Sequence, residues 1–176
     1  IVGTGTIARR FAVAAKNTLG ASLNCVASRS IDTANAFADE FGIEKRFGSY
    51  EAMAKSTDID AAYIAVPHGI HAFASKLMLN NKKAVLCEKP ICVNEQELLD
   101  LIECAKTNNT FLMEAMWARL VPGTIELIGL VNDGIIGKVR GIEGDFCYDM
   151  TDEPEHHAFK PEYGGGSLLD VGVYAL

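Results

Sequence analysis

The sequence predicts an α/β fold: a doubly wound parallel sheet, followed by the beginning of an α+β domain with a mostly antiparallel sheet. Three observations carry this reading. Over the first two thirds of the chain, short apolar runs alternate with longer helix-patterned segments, the signature of βαβ units. The short runs are apolar at successive positions, as strands covered by helices on both faces must be. The pattern then changes after Trp117, where Pro122-Gly123 marks a break.

Taken in order, Ile1-Val2 reads as the end of a first strand, with a helix over 6–18 after it. A second strand covers 23–28, and its helix, 31–41, stops at Gly42. A short helix is expected near 49–55, a strand over 61–66, a helix over 70–80 and a strand over 84–87. Asn94 is a good N-cap for a helix over 94–108, with Glu97 in capping-box position, and 110–114 is one more strand. Beyond the break, 124–131 reads as a helix, 132–134 as a turn, 139–148 as a partly alternating antiparallel strand, and 151–163 as a polar loop before a last apolar segment. The expected division is residues 1–120 for the first domain and 121–176 for the start of the second.

Bulk properties exclude several classes. The 176 residues are 49% hydrophobic and 22% charged, ordinary values for a globular protein. A net charge of -7 argues against broad binding to nucleic acid or anionic membrane, where basic surface supplies the affinity. No run reaches the roughly 18 apolar residues of a membrane span. The five cysteines form no CxxC pair and are expected as reduced thiols of a cytoplasmic protein, several of them buried. The chain begins inside a strand and stops inside an apolar stretch. The expectation is a fragment whose residues 121–176 expose apolar surface and strand edges.

Gly3-Thr4-Gly5-Thr6-Ile7-Ala8 is G-x-G-x-x-A between a strand end and a helix. The first Gly permits the tight turn, the second lets backbone approach a pyrophosphate, and Ala8 allows close helix–strand packing. The helix N-terminus then offers free N–H groups and a favourable dipole to phosphate. A Rossmann nucleotide site at Gly3, Gly5, Thr6, Ile7 and Ala8 follows. At the end of the second strand, where NAD enzymes usually carry a carboxylate for the ribose, stands Ser28-Arg29-Ser30. Arg29 can clamp a 2′-phosphate with Ser28 and Ser30 adding hydroxyls, which favours NADP. Asp32, two residues further, keeps NAD open, and Ser30 also fits as a plain helix cap.

Later motifs add a resemblance. Val66-Pro67-His68-Gly69-Ile70-His71, Cys87-Glu88-Lys89-Pro90 and Asp170-Val171-Gly172-Val173-Tyr174, with the opening GTGTIA, resemble the glucose–fructose oxidoreductase / inositol dehydrogenase / MocA family. MEAMWARLVP (113–122), GGGSLL (164–169) and DVGVY (170–174) are similar to its branch of dimeric dihydrodiol dehydrogenases and NADP-dependent xylose dehydrogenases. The family's usual ending is D-x-G-x-H, and here Tyr174 stands at the His position, a departure the branch shares. The resemblance implies Lys89 and Tyr174 as an acid–base pair with Asp170 beside them. It also implies that Pro67, His68, His71, Glu88 and Lys89 border the nucleotide, that Trp117 lines the nicotinamide or substrate pocket, with packing of the domain junction as its alternative, and that the full-length protein is a homodimer acting on a small sugar or cyclic trans-diol. An NAD-dependent cyclitol or sugar dehydrogenase and a non-catalytic NAD(P)-binding sensor or scaffold are the alternatives.

The chemistry is coherent. Alcohol oxidation needs a hydride acceptor, which nicotinamide supplies, and a base. A tyrosine with a reference pKa of about 10 needs a neighbouring cation to serve as one. Phe146 is expected in the core of the 139–148 strand, with the substrate pocket as the alternative. His68 and His71 have metal-like spacing, but no third ligand is evident, so no metal is expected. His156-His157, among acidic residues, reads as a solvated loop, and Glu126 and Glu143 as exposed charges.

Overall fold

The computed structural model describes residues 1–149 and 152–175, without the side chains of His157 and Glu162. Among the described residues there are five strands: β1 (Cys25–Ala27), β2 (Lys45–Phe47), β3 (Ala61–Ile64), β4 (Ala84–Glu88) and β5 (Leu112–Ala115). β1 pairs with β2, and β4 pairs with both β3 and β5, all in parallel. Val2 makes parallel bridges to Ala27 and to Ile64, and so joins the two halves. The spatial order is therefore β2-β1-Val2-β3-β4-β5, with the strand order reversing at Val2. In an open α/β sheet, that reversal opens a crevice at the carboxyl ends of the strands.

Successive residues of each strand feed opposite faces, as the pleat requires. Cys25, Ala27, Ala62 and Ile64 join one cluster with Met78, Leu79, Val85 and Leu101. Val26 and Tyr63 join the other with Ala8, Ala12, Phe37, Phe41 and Ile43. The first cluster is covered by α3 (Tyr50–Ala54), α4 (His71–Asn80) and α5 (Glu95–Asn108), the second by α1 (Thr6–Lys16) and α2 (Ile31–Phe41). Four cysteines, Cys25, Cys87, Cys92 and Cys104, are buried in or beside this core.

Local signals set the element ends. Gly42 closes α2 in the left-handed region at φ 65°, where a glycine carries no Cβ penalty. Asn94 caps α5 by accepting from Glu97 N at 2.9 Å. The Glu97 carboxylate reaches back to Val93 N at 3.2 Å, one residue before the position a strict capping box would use. β2 has no sequence signature: Lys45-Arg46-Phe47 is neither apolar nor alternating, and its polar side chains are held by Asp58 and Asp39 at 2.7 Å each.

Past β5 the character changes. A 3₁₀ turn (Trp117–Leu120) leads into α6 (Pro122–Asn132), whose Pro122 sits where a missing N–H costs nothing. The antiparallel strand expected over 139–148 is not formed; residues 139–149 carry no regular structure. A strand exists only with a partner, and no pairing with this stretch occurs among the described residues. Phe146 is accordingly not in a strand core and packs on Tyr148 and Tyr174 instead. Two 3₁₀ turns (His157–Phe159 and Pro161–Tyr163), a one-turn helix α7 (Ser167–Asp170) and a last 3₁₀ turn (Gly172–Tyr174) complete the described chain.

Candidate active site

The Gly-rich turn lies in the crevice predicted by the strand reversal. Gly3 has φ +104°, and a Cβ there would stand 2.1 Å from the Ala65 carbonyl oxygen, so no other residue fits. Gly5 is the opposite case: nothing lies within 4 Å of an added Cβ. One glycine packs the turn against β3, and the other faces open space. Gly5 also leaves the first turn of α1 without a side-chain cap, so its N–H groups remain available to an anion. Ala8, in the first turn of α1, is fully buried and does not face the opening.

That opening is a cavity of about 680 Å³. Its walls are the turn and Arg10, Ser28 and Arg29 after the end of β1, and Tyr50 at the start of α3. The loop Val66-Pro67-His68, with His71, and the Glu88-Lys89 strand end form the remainder, and Asp170 and His156 close it. The size, the open Gly5 and the uncapped helix end fit a dinucleotide. Among the described residues, neither Arg10 nor Arg29 has an ion-pair partner, whereas the adjacent Arg9 is taken up by Glu40 and Phe37. Ser30 does not border the cavity; its hydroxyl accepts from Asp32 N at 3.2 Å and caps α2. The Ser28 hydroxyl is shared with Thr33 at 2.6 Å.

Three neighbours hold the turn that carries Lys89. From β3, the Tyr63 hydroxyl donates to Glu88 Oε1, while Glu88 Oε2 accepts from Lys89 N at 3.2 Å. From α4, His71 places Nδ1 2.7 Å from the Pro90 carbonyl and Nε2 2.8 Å from that of Val66. From β5, Glu114 Oε1 accepts from Ile91 N at 2.8 Å. His71 thus lines the cavity with its ring nitrogens engaged by backbone. Burial lowers its pKa from the ordinary histidine value, against the opposing pull of the two carbonyls. Burial, and then the Glu88 hydrogen bond, raises the Tyr63 phenol above its usual range, and burial pushes the Cys87 thiol up to about 12.

Lys89 Nζ reaches Asp170 twice, at Oδ1 (3.0 Å) and at the backbone carbonyl. His68 Nε2 lies 3.9 Å from the same Oδ1, and its Nδ1 is 3.3 Å from the Gly164 carbonyl. Burial lowers the His68 pKa. Gly164, at φ +73°, packs so closely that a Cβ would sit 2.8 Å from Val93 and 3.0 Å from His68, whereas Gly166 meets nothing within 4 Å. Tyr174 lies beside the group without lining the cavity. The Lys89 ammonium is 5.1 Å from its ring centre, and its hydroxyl accepts from Trp117 Nε1 at 2.9 Å. Trp117 touches Tyr174 and does not line this cavity.

Sequence reasoning missed Arg10, Tyr63, Glu114 and His156. Tyr63 and Glu114 carried a signal, being polar groups inside apolar strands, which fold only if hydrogen-bonded. His156, read as a solvated loop residue, lines the cavity; the His157 side chain lies outside the described residues. No group of three or more metal-ligating side chains occurs among the described residues, nor is any of their helices long and apolar enough to cross a membrane.

This sheet order, turn and crevice define an NAD-binding Rossmann domain. The chain belongs to the Gfo/Idh/MocA oxidoreductase family: the model of the oxidoreductase family with an NAD-binding Rossmann fold matches residues 1–116, and that of the GFO/IDH/MocA C-terminal domain matches 125–176. The chain is similar to trans-1,2-dihydrobenzene-1,2-diol dehydrogenase of Danio rerio, 36% identical over all of this chain and 53% of the relative. It thus spans about half the length of the curated relatives it matches. Among solved structures, a 3-ketoreductase from Actinomadura kijaniata in complex with NADP and TDP-benzene is 28% identical with a TM-score of 0.84, covering 98% of this chain and 53% of that one. A levoglucosan dehydrogenase in complex with NADH and levoglucosan superposes with a TM-score of 0.91 over 99% of this chain and 50% of its own; at 22% identity it speaks for the fold alone.

Proposed function

We propose that this chain carries the cofactor site and the first catalytic groups of an NADP-dependent dehydrogenase that oxidises a hydroxyl-bearing carbon of a sugar or cyclic trans-diol. The observation that carries this reading is the Lys89–Asp170 pair, set in the wall of the cavity that opens from the Gly3–Gly5 turn, with Tyr174 against it. A bound nicotinamide supplies the hydride acceptor. In the proposed reaction Lys89 hydrogen-bonds the substrate hydroxyl and fixes its position. Asp170 holds the ammonium at the cavity wall, and Tyr174, in its ionised form, receives the hydroxyl proton as the carbon-bound hydride leaves for the nicotinamide, its ring steadied by Trp117 and Phe146. Pro67, His68 and Glu88 shape the same wall. Arg29 binds the 2′-phosphate, with Ser28 beside it.

Resemblance to the dimeric branch supports a cytoplasmic homodimer acting on a small molecule. Support for NADP comes from Arg29, which has no ion-pair partner among the described residues, and from the NADP complex of the ketoreductase; Asp32, in the first turn of α2, makes NAD the competitor to test. The test is reduction of NADP by the full-length protein offered a panel of aldopyranoses and cyclic trans-diols. The wild type is expected to turn over at least one of them. Tyr174→Phe is expected to lower kcat by roughly 100-fold or more, with NADP affinity within about twofold. Cofactor binding without turnover of any panel member, or full activity in Tyr174→Phe, contradicts the assignment.

A further inference from the structure

The Tyr63–Glu88 pair has no part in the reaction as described, yet it is a costly arrangement. Tyr63 is 7% exposed, inside the cluster beneath α1, with Phe11 stacked on it at 3.7 Å between ring centres and 13° between planes. A phenylalanine would fill this slot equally well. The hydroxyl is used for one thing: it donates to Glu88 Oε1. Glu88 stands at the carboxyl end of β4 with its other oxygen on Lys89 N, and it lines the cavity one residue before Lys89. Two donors therefore hold this carboxylate in one orientation and satisfy part of its capacity. An ionised carboxylate has about four acceptor directions, so acceptor sites remain for hydroxyl donors in the cavity.

We propose that Tyr63 is a positioning residue: its hydroxyl fixes Glu88 so that the carboxylate accepts a hydroxyl of the cofactor ribose nearest Lys89. This rests on the nicotinamide reading above and adds which half of the cofactor the pair serves. Glu88 lies on the Lys89 side of the cavity, while Arg29 lies at the end of β1 across the strand reversal. The two ends of a dinucleotide spread over those two sides. Tyr63 then governs affinity for the nicotinamide half and leaves the adenosine half untouched. The phenol is suited to the task, because burial and the carboxylate keep it protonated, and hence a donor, throughout the working pH range.

The experiment compares wild type with Tyr63→Phe in the full-length protein by fluorescence titration with NADPH, NADH and the fragment 2′,5′-ADP, which lacks the nicotinamide half. The expected result is an increase in Kd of about tenfold for NADPH and by the same factor for NADH, as for loss of a hydrogen bond to a charged group. Affinity for 2′,5′-ADP is expected to stay within about twofold. Equal loss for all three ligands, or no loss for the whole cofactors, overturns the proposal. Should Tyr63→Phe fail to fold, Glu88→Gln is read in the same three titrations with the same expectations. Wild type that binds neither whole cofactor contradicts the nicotinamide reading itself, a result distinct from wild type that binds and a variant that binds equally well.

Discussion

Residues 1–116 and residues 117–175 have similar shares of apolar residues to work with and use them differently. In the first stretch Val2, Phe37, Met53, Ile64, Met78, Leu79 and Val85 are fully buried on the two faces of one sheet. In the second, Ile125, Leu127, Ile128, Ile135, Ile136 and Ile142 are all exposed, and Ala158 is the one buried hydrophobic residue among those described. Side-chain chemistry does not make a core; a partner surface at the right spacing does. The last residues, 164–174, obtain that partner from the first domain by docking on His68, Val93 and Lys89, and they bring Asp170 and Tyr174 to the site.

Glycine substitutions are expected to separate the two regions by the widest margin. Gly3→Ala forces a methyl group into the Ala65 carbonyl at a positive φ, and is expected to remove roughly 4 kcal/mol or more of stability, or to prevent folding. Gly129→Ala in α6 meets nothing within 4 Å, and is expected to be neutral or stabilising by up to about 1 kcal/mol. Urea unfolding of the two variants measures both; a similar cost at the two positions would mean that the regions do not differ as described.

Leucine and isoleucine truncations come next. Leu79→Ala in the packed core is expected to cost about 3 kcal/mol, and Ile128→Ala, 51% exposed, less than about 0.5 kcal/mol. If Ile128→Ala proves as costly in the full-length protein, α6 is covered there by further structure, and the difference sharpens into a measure of that cover.

The smallest effect is the pH dependence of the first region. His68 and His71 both titrate below the ordinary histidine value because burial disfavours the imidazolium. Below about pH 6.5 the unfolded chain therefore binds more protons at these positions than the folded one. Their contribution to stability is complete above that pH, falls as the pH drops toward their depressed folded values, and then levels off. Urea midpoints measured from pH 7.5 down to 5 should decline, and His71→Asn should flatten the decline. A slope unchanged by that substitution removes His71 from the account.

Much of the first region was legible because its signals are local. The Gly3–Ala8 turn, the Gly42 stop, the Asn94 cap and the apolar strands each specify their own conformation, and the alternation of elements then implies a parallel sheet. β2 was illegible because Lys45–Phe47 becomes a strand only through pairing with β1. The failed strand over 139–148 is the same lesson reversed: an alternating pattern without a partner. At the site, Lys89 and Asp170 were legible through motifs, but the hydroxyl direction of Tyr174 depends on Trp117, 57 positions away. Arg10 and His156 join the cavity only through tertiary placement, and Ser30 leaves it because its hydroxyl is committed to α2.

The proposed binding of NADP in the crevice at Val2, through Arg29, is decided by titrating the full-length protein with NADPH and NADH side by side. NADPH is expected to bind at least about tenfold more tightly than NADH, and Arg29→Ala to weaken NADPH by a similar factor while leaving NADH within about twofold. Equal affinity for the two cofactors in the wild type, or an Arg29→Ala variant that still prefers NADPH undiminished, would contradict it.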